Sequence, residues 1–169
     1  KLRGERVIVL GAGGVARAVV MMLATKGAGE VVLLNRTLER AEKIAREVNA
    51  MVGRKLVTPM ELADFDSLPT DRKYLAIQAT NVGMYPNVDE AVLEDRELYR
   101  RIHTGYDLIF NPADTKFMQL VRQEGGRSLG GLKMLLYQGV IAYELWTKRN
   151  VSDKIAMQLY RKLVQSMEQ

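Results

Sequence analysis

The 169-residue chain contains no cysteine and a single histidine, His103. The first absence excludes disulfide frameworks, Cys-rich zinc sites and thiol catalysis, and the second excludes a multi-His metal centre. No metal is therefore expected. The charges form no run of five of one sign: 25 Lys and Arg against 20 Asp and Glu leave +5, spread along the chain. That balance suits a small anionic ligand better than a nucleic-acid groove, and the basic residues are not gathered with stacking aromatics, so no nucleic-acid partner is expected. No apolar stretch reaches the roughly 18 residues that span a bilayer, and nothing resembles a signal peptide. No membrane partner is expected, and a cytoplasmic location is the default.

What is present is enough apolar material, 47% of the residues, to build one core without staples. No internal repeat, low-complexity tract or linker divides residues 1–169, which read as one domain. The chain opens on Lys1 without Met and enters a strand-like run almost at once. The expectation is one domain of a longer protein.

Short apolar runs alternate with helical patterns along the chain. Val7 to Leu10 (VIVL) predicts a strand buried on both faces, and Val15 to Lys26 a helix stopped by Gly27. Val31 to Leu34 is the next strand. Thr37 can cap a helix from Leu38 to about Asn49, whose Leu38, Ala41, Ile44, Ala45 and Val48 form an apolar stripe. Further strands are predicted at Lys55 to Thr58, Tyr74 to Ala79, Tyr106 to Phe110 and Arg127 to Leu129. The intervening helices are placed at Glu61 to Phe65, Leu93 to Ile102 and Thr115 to Glu124, with a loop at Asn81 to Asn87. A long apolar helix, Leu132 to Thr147, and an amphipathic one from near Ser152 close the chain. This rhythm predicts a doubly wound α/β fold, a mostly parallel sheet with helices on both faces.

Between the first strand and the first helix, Gly11, Gly13 and Ala16 form G-x-G-x-x-A within GAGGVA. Gly11 permits the tight turn, Gly13 lets backbone N–H groups approach a pyrophosphate, and Ala16 allows close helix packing. The free N–H groups of the following helix would face the phosphates. A dinucleotide is the leading ligand; a plain glycine turn is the alternative. NAD binders usually place a carboxylate at the end of the second strand, about 20 residues past the turn. Here that place holds Asn35, followed by Arg36 and Thr37. Arg36 and Arg40, four apart at a helix start, can converge on one anion, while Thr37 and the helix amides add hydrogen bonds. This arrangement favours NADP over NAD, with solvated surface arginines as the alternative.

The segments GAGGVARA, NRTLERA, ATNVGMYP, YDLIFNPADTKF and GGLKMLLYQGVIAYELW occur in the order and spacing of the shikimate dehydrogenase family. The chain resembles that family's C-terminal, Rossmann-like NADP-binding domain. The resemblance implies reversible reduction of 3-dehydroshikimate to shikimate with NADPH, in aromatic amino-acid biosynthesis. Carried onto this sequence, it implies that Gly11, Ala12, Gly13 and Gly14 hold the pyrophosphate. Asn35, Arg36, Thr37 and Arg40 would hold the 2′-phosphate end, and Thr80 and Asn81 would border the nicotinamide half. Leu108, Gly131 and Met134 would neighbour the nicotinamide, and Gln138 would reach the substrate hydroxyls. Gly131, Met134 and Gln138 also share one helical stripe by their spacing. Gln138 could instead be a core amide bonded to backbone, or an exposed one.

Two departures matter. Many members of the family have Tyr where this chain has Phe110, whose ring offers the substrate no hydrogen bond. The catalytic Lys and Asp pair and the residues holding the substrate carboxylate belong to the family's N-terminal domain, so no catalytic residue is expected here. The chain alone should bind NADP without turnover, and shikimate or 3-dehydroshikimate would be bound jointly with that other domain. A homodimer stays open. The competing readings are a quinate/shikimate dehydrogenase paralogue and a non-catalytic NADP-sensing module. His103, beside Arg100 and Arg101, reads as a solvated or helix-end residue. Asp107 reads as an orienter of local backbone, and Met21, Met22, Met84 and Met134 as mostly core filler. The charges of the final helix read as its wet face, although its Ile155, Leu159 and Leu163 side could pack on the other domain.

Overall fold

The computed structural model describes residues 2–167; Lys1, on which the reading of a longer protein rests, lies outside them. Six strands form one sheet: β1 (Arg6–Leu10), β2 (Glu30–Asn35), β3 (Val57–Glu61), β4 (Tyr74–Gln78), β5 (Ile102–Asp107) and β6 (Arg127–Leu129). Their order is β3-β2-β1-β4-β5-β6 and every pairing is parallel. The helices are α1 (Gly14–Thr25), α2 (Leu38–Val52), α3 (Arg96–Arg100), α4 (Lys116–Gln123), α5 (Leu132–Thr147) and α6 (Asp153–Met167), with a 3-10 turn at Leu62–Ser67. The chain folds as the doubly wound α/β arrangement that its alternation predicts.

Side chains alternate across a strand, so β1 feeds two cores. Val7 and Val9 pack with Val31, Leu33 and Ile77 beneath α1 and α2, through Ala16, Val20, Leu23, Ile44 and Val48. Ile8 and Leu10 pack on the other face with Val32, Leu34 and Ala76 against Phe65, Leu98, Phe117 and Val121. Burial on both faces explains why these strands read as continuous apolar runs.

The second half departs from the sequence reading. β3 runs from Val57 rather than Lys55 and contains Pro59, tolerated because β3 is the sheet edge. Helix α3 has five residues, beginning after Asp95, whose carboxylate accepts from Glu97 N at 2.9 Å. The largest shift is in β5, expected at Tyr106 to Phe110 and found at Ile102–Asp107. Gly105 is the reason: a Cβ there would lie 2.7 Å from Val121 and 3.0 Å from Phe117, so the glycine marks the place where α4 presses on the strand. His103 accordingly sits in β5, not at a helix end, with Nε2 3.1 Å from Glu5 and Nδ1 2.9 Å from Thr104.

The apolar triplet after β5 leaves the sheet because Asp107, fully buried, accepts from Ile109 N at 2.9 Å and from Thr115 Oγ1 at 2.6 Å. Those bonds fold residues 107–109 into a turn. Burial pushes the Asp107 carboxyl above its ordinary pKa, against the opposing pull of the two hydrogen bonds. Arg101, also buried, donates through Nη1 to the carbonyls of Phe65 (2.9 Å), Asp66 (3.3 Å) and Leu68 (2.7 Å), tying the 3-10 turn to β5.

Two outcomes are expected. Arg101→Met leaves those carbonyls short of a donor and lowers unfolding stability by about 2 kcal/mol, read as a lower urea midpoint; an unchanged midpoint would contradict the tie. For Asp107, a raised native pKa means that the folded chain holds the proton more tightly, so stability falls as pH rises from about 4 through the native value. The stability of wild type minus that of Asp107→Asn, measured by urea titration from acid to neutral pH, should fall over that window. A difference that does not vary with pH refutes the assignment.

Candidate functional site

The carboxyl ends of β1, β2, β4 and β5 lie side by side, since Leu10 pairs with Leu34 and Gln78, and Gln78 with Asp107. Connections from β1 and β4 leave to opposite sides of the sheet, which opens a crevice between them. Gly11 stands at its base with φ +104°, a backbone state that side chains rarely adopt, and a Cβ there would lie 2.6 Å from Thr80 Cγ2. Gly13 is the extended N-cap of α1, and nothing lies within 4 Å of a Cβ built on Gly13 or Gly14. The glycines therefore do different work: the first lets two strand ends touch, and the next pair leaves space above the helix N-terminus. The first-turn N–H groups of α1 have no partners within the helix and face that space.

A cleft of about 450 Å³ follows. Gly11, Ala12, Gly13 and Gly14 form its floor, Asn35 and Arg40 one end, and Thr80 and Asn81 its middle. Leu108, Phe110 and Met134 line the opposite end. A second cleft, about 370 Å³, shares Gly11, Asn35, Thr80 and Asn81 with the first and is lined by Arg36. Arg36 and Arg40 are exposed, and among the described residues neither pairs with a carboxylate. Thr37 occupies the N-cap of α2 without a capping bond from its side chain; Asn35 Nδ2 donates instead to Thr37 O at 2.7 Å. The register also sets Glu61 of β3, exposed, beside Asn35, a neighbour that the strand-by-strand reading does not contain.

Gly131 is buried at the start of α5. Its N–H donates to Ile109 O at 2.9 Å, and a Cβ would meet Leu108 O at 2.2 Å, so it presses α5 against the turn that carries Leu108 and Phe110. Met134 extends from this point into the first cleft, 40% exposed rather than core filler. Gln138, one turn further along α5, lies elsewhere: it is exposed and lines a separate apolar groove of about 590 Å³ between α5 and α6, with Leu135, Tyr143, Ile155 and Leu159. The apolar side of α6 faces that same groove.

Residues not singled out by sequence also line the first cleft: Val15, Ala79 and Ile109. Val15 carries a readable signal, an apolar side chain at the first turn of a helix on the side away from Ala16 and Val20. Gln78 carries another, an amide ending the apolar run YLAI. Among the described residues no cluster of His, Cys, Asp or Glu could hold a metal ion, and no helix is long and apolar enough to cross a membrane.

Comparison with known proteins meets this geometry. The family described as shikimate / quinate 5-dehydrogenase matches residues 1–68, and the shikimate 5'-dehydrogenase C-terminal domain matches residues 131–158. The chain is 42% identical over 149 residues to a shikimate dehydrogenase (NADP(+)) of Moorella thermoacetica, covering 86% of this chain and 49% of that protein. It is 40% identical over 153 residues to the Methanopyrus kandleri protein of the same name, covering 86% and 50%. A chorismate mutase/shikimate 5-dehydrogenase fusion protein from Clostridium acetobutylicum superposes with a TM-score of 0.85 at 26% identity, over 99% of this chain and 57% of that one. The chain thus spans about half the length of the curated relatives it matches. With the glycine turn, the arginine-flanked second strand and the Gly131 contact in place, the chain belongs to the shikimate/quinate dehydrogenase family.

Proposed function

We propose that these residues are the NADP-binding domain of a shikimate dehydrogenase, working with a substrate domain outside the chain. One observation carries the reading: the cleft that opens on the N-terminus of α1 is lined by Asn35 and Arg40, and the neighbouring cleft lined by Arg36 and Glu90 shares Gly11, Asn35, Thr80 and Asn81 with it. A helix N-terminus and two arginines therefore border adjoining clefts, as a pyrophosphate and a ribose 2′-phosphate require. The space above Gly13 and Gly14, which a Cβ would enter, fits the pyrophosphate. The relatives named for NADP(+) support the same choice.

When bound, the nicotinamide exchanges a hydride with the carbon that carries the substrate's hydroxyl or carbonyl oxygen. The chain's own residues would do the rest of the binding. Backbone N–H groups at Gly13, Gly14 and Val15 hold phosphate oxygens, and Arg36 and Arg40, with Asn35 and Thr37 beside them, hold the 2′-phosphate. Thr80 and Asn81 border the middle of the molecule. Leu108 and Met134 give the nicotinamide an apolar wall, and Gly131, buried behind them, holds α5 against the turn that carries Leu108. The lining of the first cleft holds no Lys, His, Asp or Glu. In this reading the proton is handled by the other domain, and these residues alone bind cofactor without turnover in a cytoplasmic enzyme.

Phe110, at the cleft, is this domain's proposed contact to the substrate, and Gln138, exposed on α5 outside the cleft, would touch it only where the substrate extends beyond the cleft. Phe110, 40% exposed at the mouth of the cleft, supports a second reading as a quinate/shikimate dehydrogenase, since its ring adds bulk and no hydrogen bond to the polyol. Cofactor choice is tested by calorimetric titration of the chain with NADPH and NADH. Arg36→Ala should weaken NADPH by about ten-fold or more, the worth of a charge-assisted contact, and leave NADH nearly unchanged. Equal losses for both would remove the 2′-phosphate assignment.

A further inference from the structure

Gln78 is the last residue of β4 and is completely buried, yet it lines neither cleft. Its amide is spent on the loop that follows. Nε2 donates to Val82 O at 3.0 Å, and Oε1 accepts from Thr80 N at 2.6 Å and from Thr80 Oγ1 at 2.8 Å. The Thr80 hydroxyl then accepts from Val82 N at 3.1 Å, so both of its roles are fixed. The main chain of the same residue serves the other wall, for Gln78 O accepts from Leu108 N at 3.1 Å.

From this geometry we infer that Gln78 is a positioning residue, which holds Thr80 and Asn81 across the glycine turn and Leu108 beside them, and so sets the spacing of the cofactor cleft. The inference rests on the cofactor reading above. The chemistry of the position narrows the choice of side chain. The loop presents one carbonyl and two donors to the buried atom set, and only a primary amide can give to the first while accepting from the others. A carboxylate would set a buried negative charge against Val82 O, and an apolar side chain of equal length would leave Thr80 N and Val82 O without partners. The loop packs directly on the glycine turn, Thr80 Cγ2 standing 2.6 Å from where a Cβ on Gly11 would be, so a loop released from Gln78 alters the wall of the cofactor cleft at that contact.

The test separates local positioning from general loss of structure by using two ligands. NADP+ would span the cleft from Arg36 and Arg40 to Leu108 and Met134, whereas adenosine 2′,5′-bisphosphate reaches only from the arginines to the glycine turn and lacks the half that lies past Thr80 toward Leu108. In calorimetric titrations of the chain, Gln78→Met should weaken NADP+ by about ten-fold, the equivalent of one buried hydrogen-bond defect. The bisphosphate should bind within about two-fold of wild type. If Gln78→Met does not fold, Thr80→Val removes the hydroxyl held by Gln78 and keeps the methyl beside Gly11, and it should show the same split. Variants that bind NADP+ as wild type does, or that lose both ligands in parallel, overturn the inference and leave the cofactor reading standing. A wild-type chain that binds neither ligand overturns the cofactor reading and this inference with it.

Discussion

The close approach of two strand ends at Gly11 governs the rest of the structure. Gly11 N donates to Leu34 O at 2.8 Å on one side, while Ala79 N donates to Leu10 O at 2.9 Å on the other. β2 and β4 are thus tied to the tip of β1, and the chain at Gly11 can pass between them only in a left-handed conformation with no side chain. Everything that a dinucleotide could touch is referenced to this point. The N-terminus of α1 starts two residues later, the arginines follow β2, and the Thr80 loop follows β4. A displacement at Gly11 would move all three together.

The crevice is built by polar side chains that never reach it. Gln78 and Asp107 pair in register at the ends of β4 and β5, both fully buried, and each bends its own outgoing loop by side-chain bonds to backbone. An apolar pair at these positions would pack well and leave the loops unspecified. The two polar groups incur a desolvation cost that their hydrogen bonds offset, and in exchange the loop geometry is unique.

Much of this is legible in the sequence where local pattern and tertiary environment agree. Val7 to Leu10 and Val31 to Leu34 announce themselves because central parallel strands are buried on both faces, and the bounds of α5 match its apolar run with Gly131 before it. Legibility fails where a residue's neighbour lies far along the chain. Gly105 lies under α4, a contact that no local pattern announces, and β5 starts four residues and ends three residues before its apolar run predicts. Helical spacing puts Gln138 on the stripe of Met134, but only the return of α6 shows that this part of the stripe borders another groove. Gln78 is legible as an oddity, an amide closing an apolar run, without its partners being readable.

The Gly131 contact has a mechanical side. Because the backbone of α5 meets Leu108 O with no side chain between them, the start of the helix is fixed to the cleft while its far end, carrying Trp146 at 84% exposure, is held by little besides α6. At 1.5 Å rise per residue, Trp146 stands about 22 Å from that pivot and Met134 about 5 Å. A tilt of about 5° would carry the tryptophan about 2 Å and the methionine less than about 0.5 Å. For a rigid α5 turning about that contact, a displacement at the tryptophan end would reach Met134 in the cofactor cleft at roughly a fifth of its amplitude.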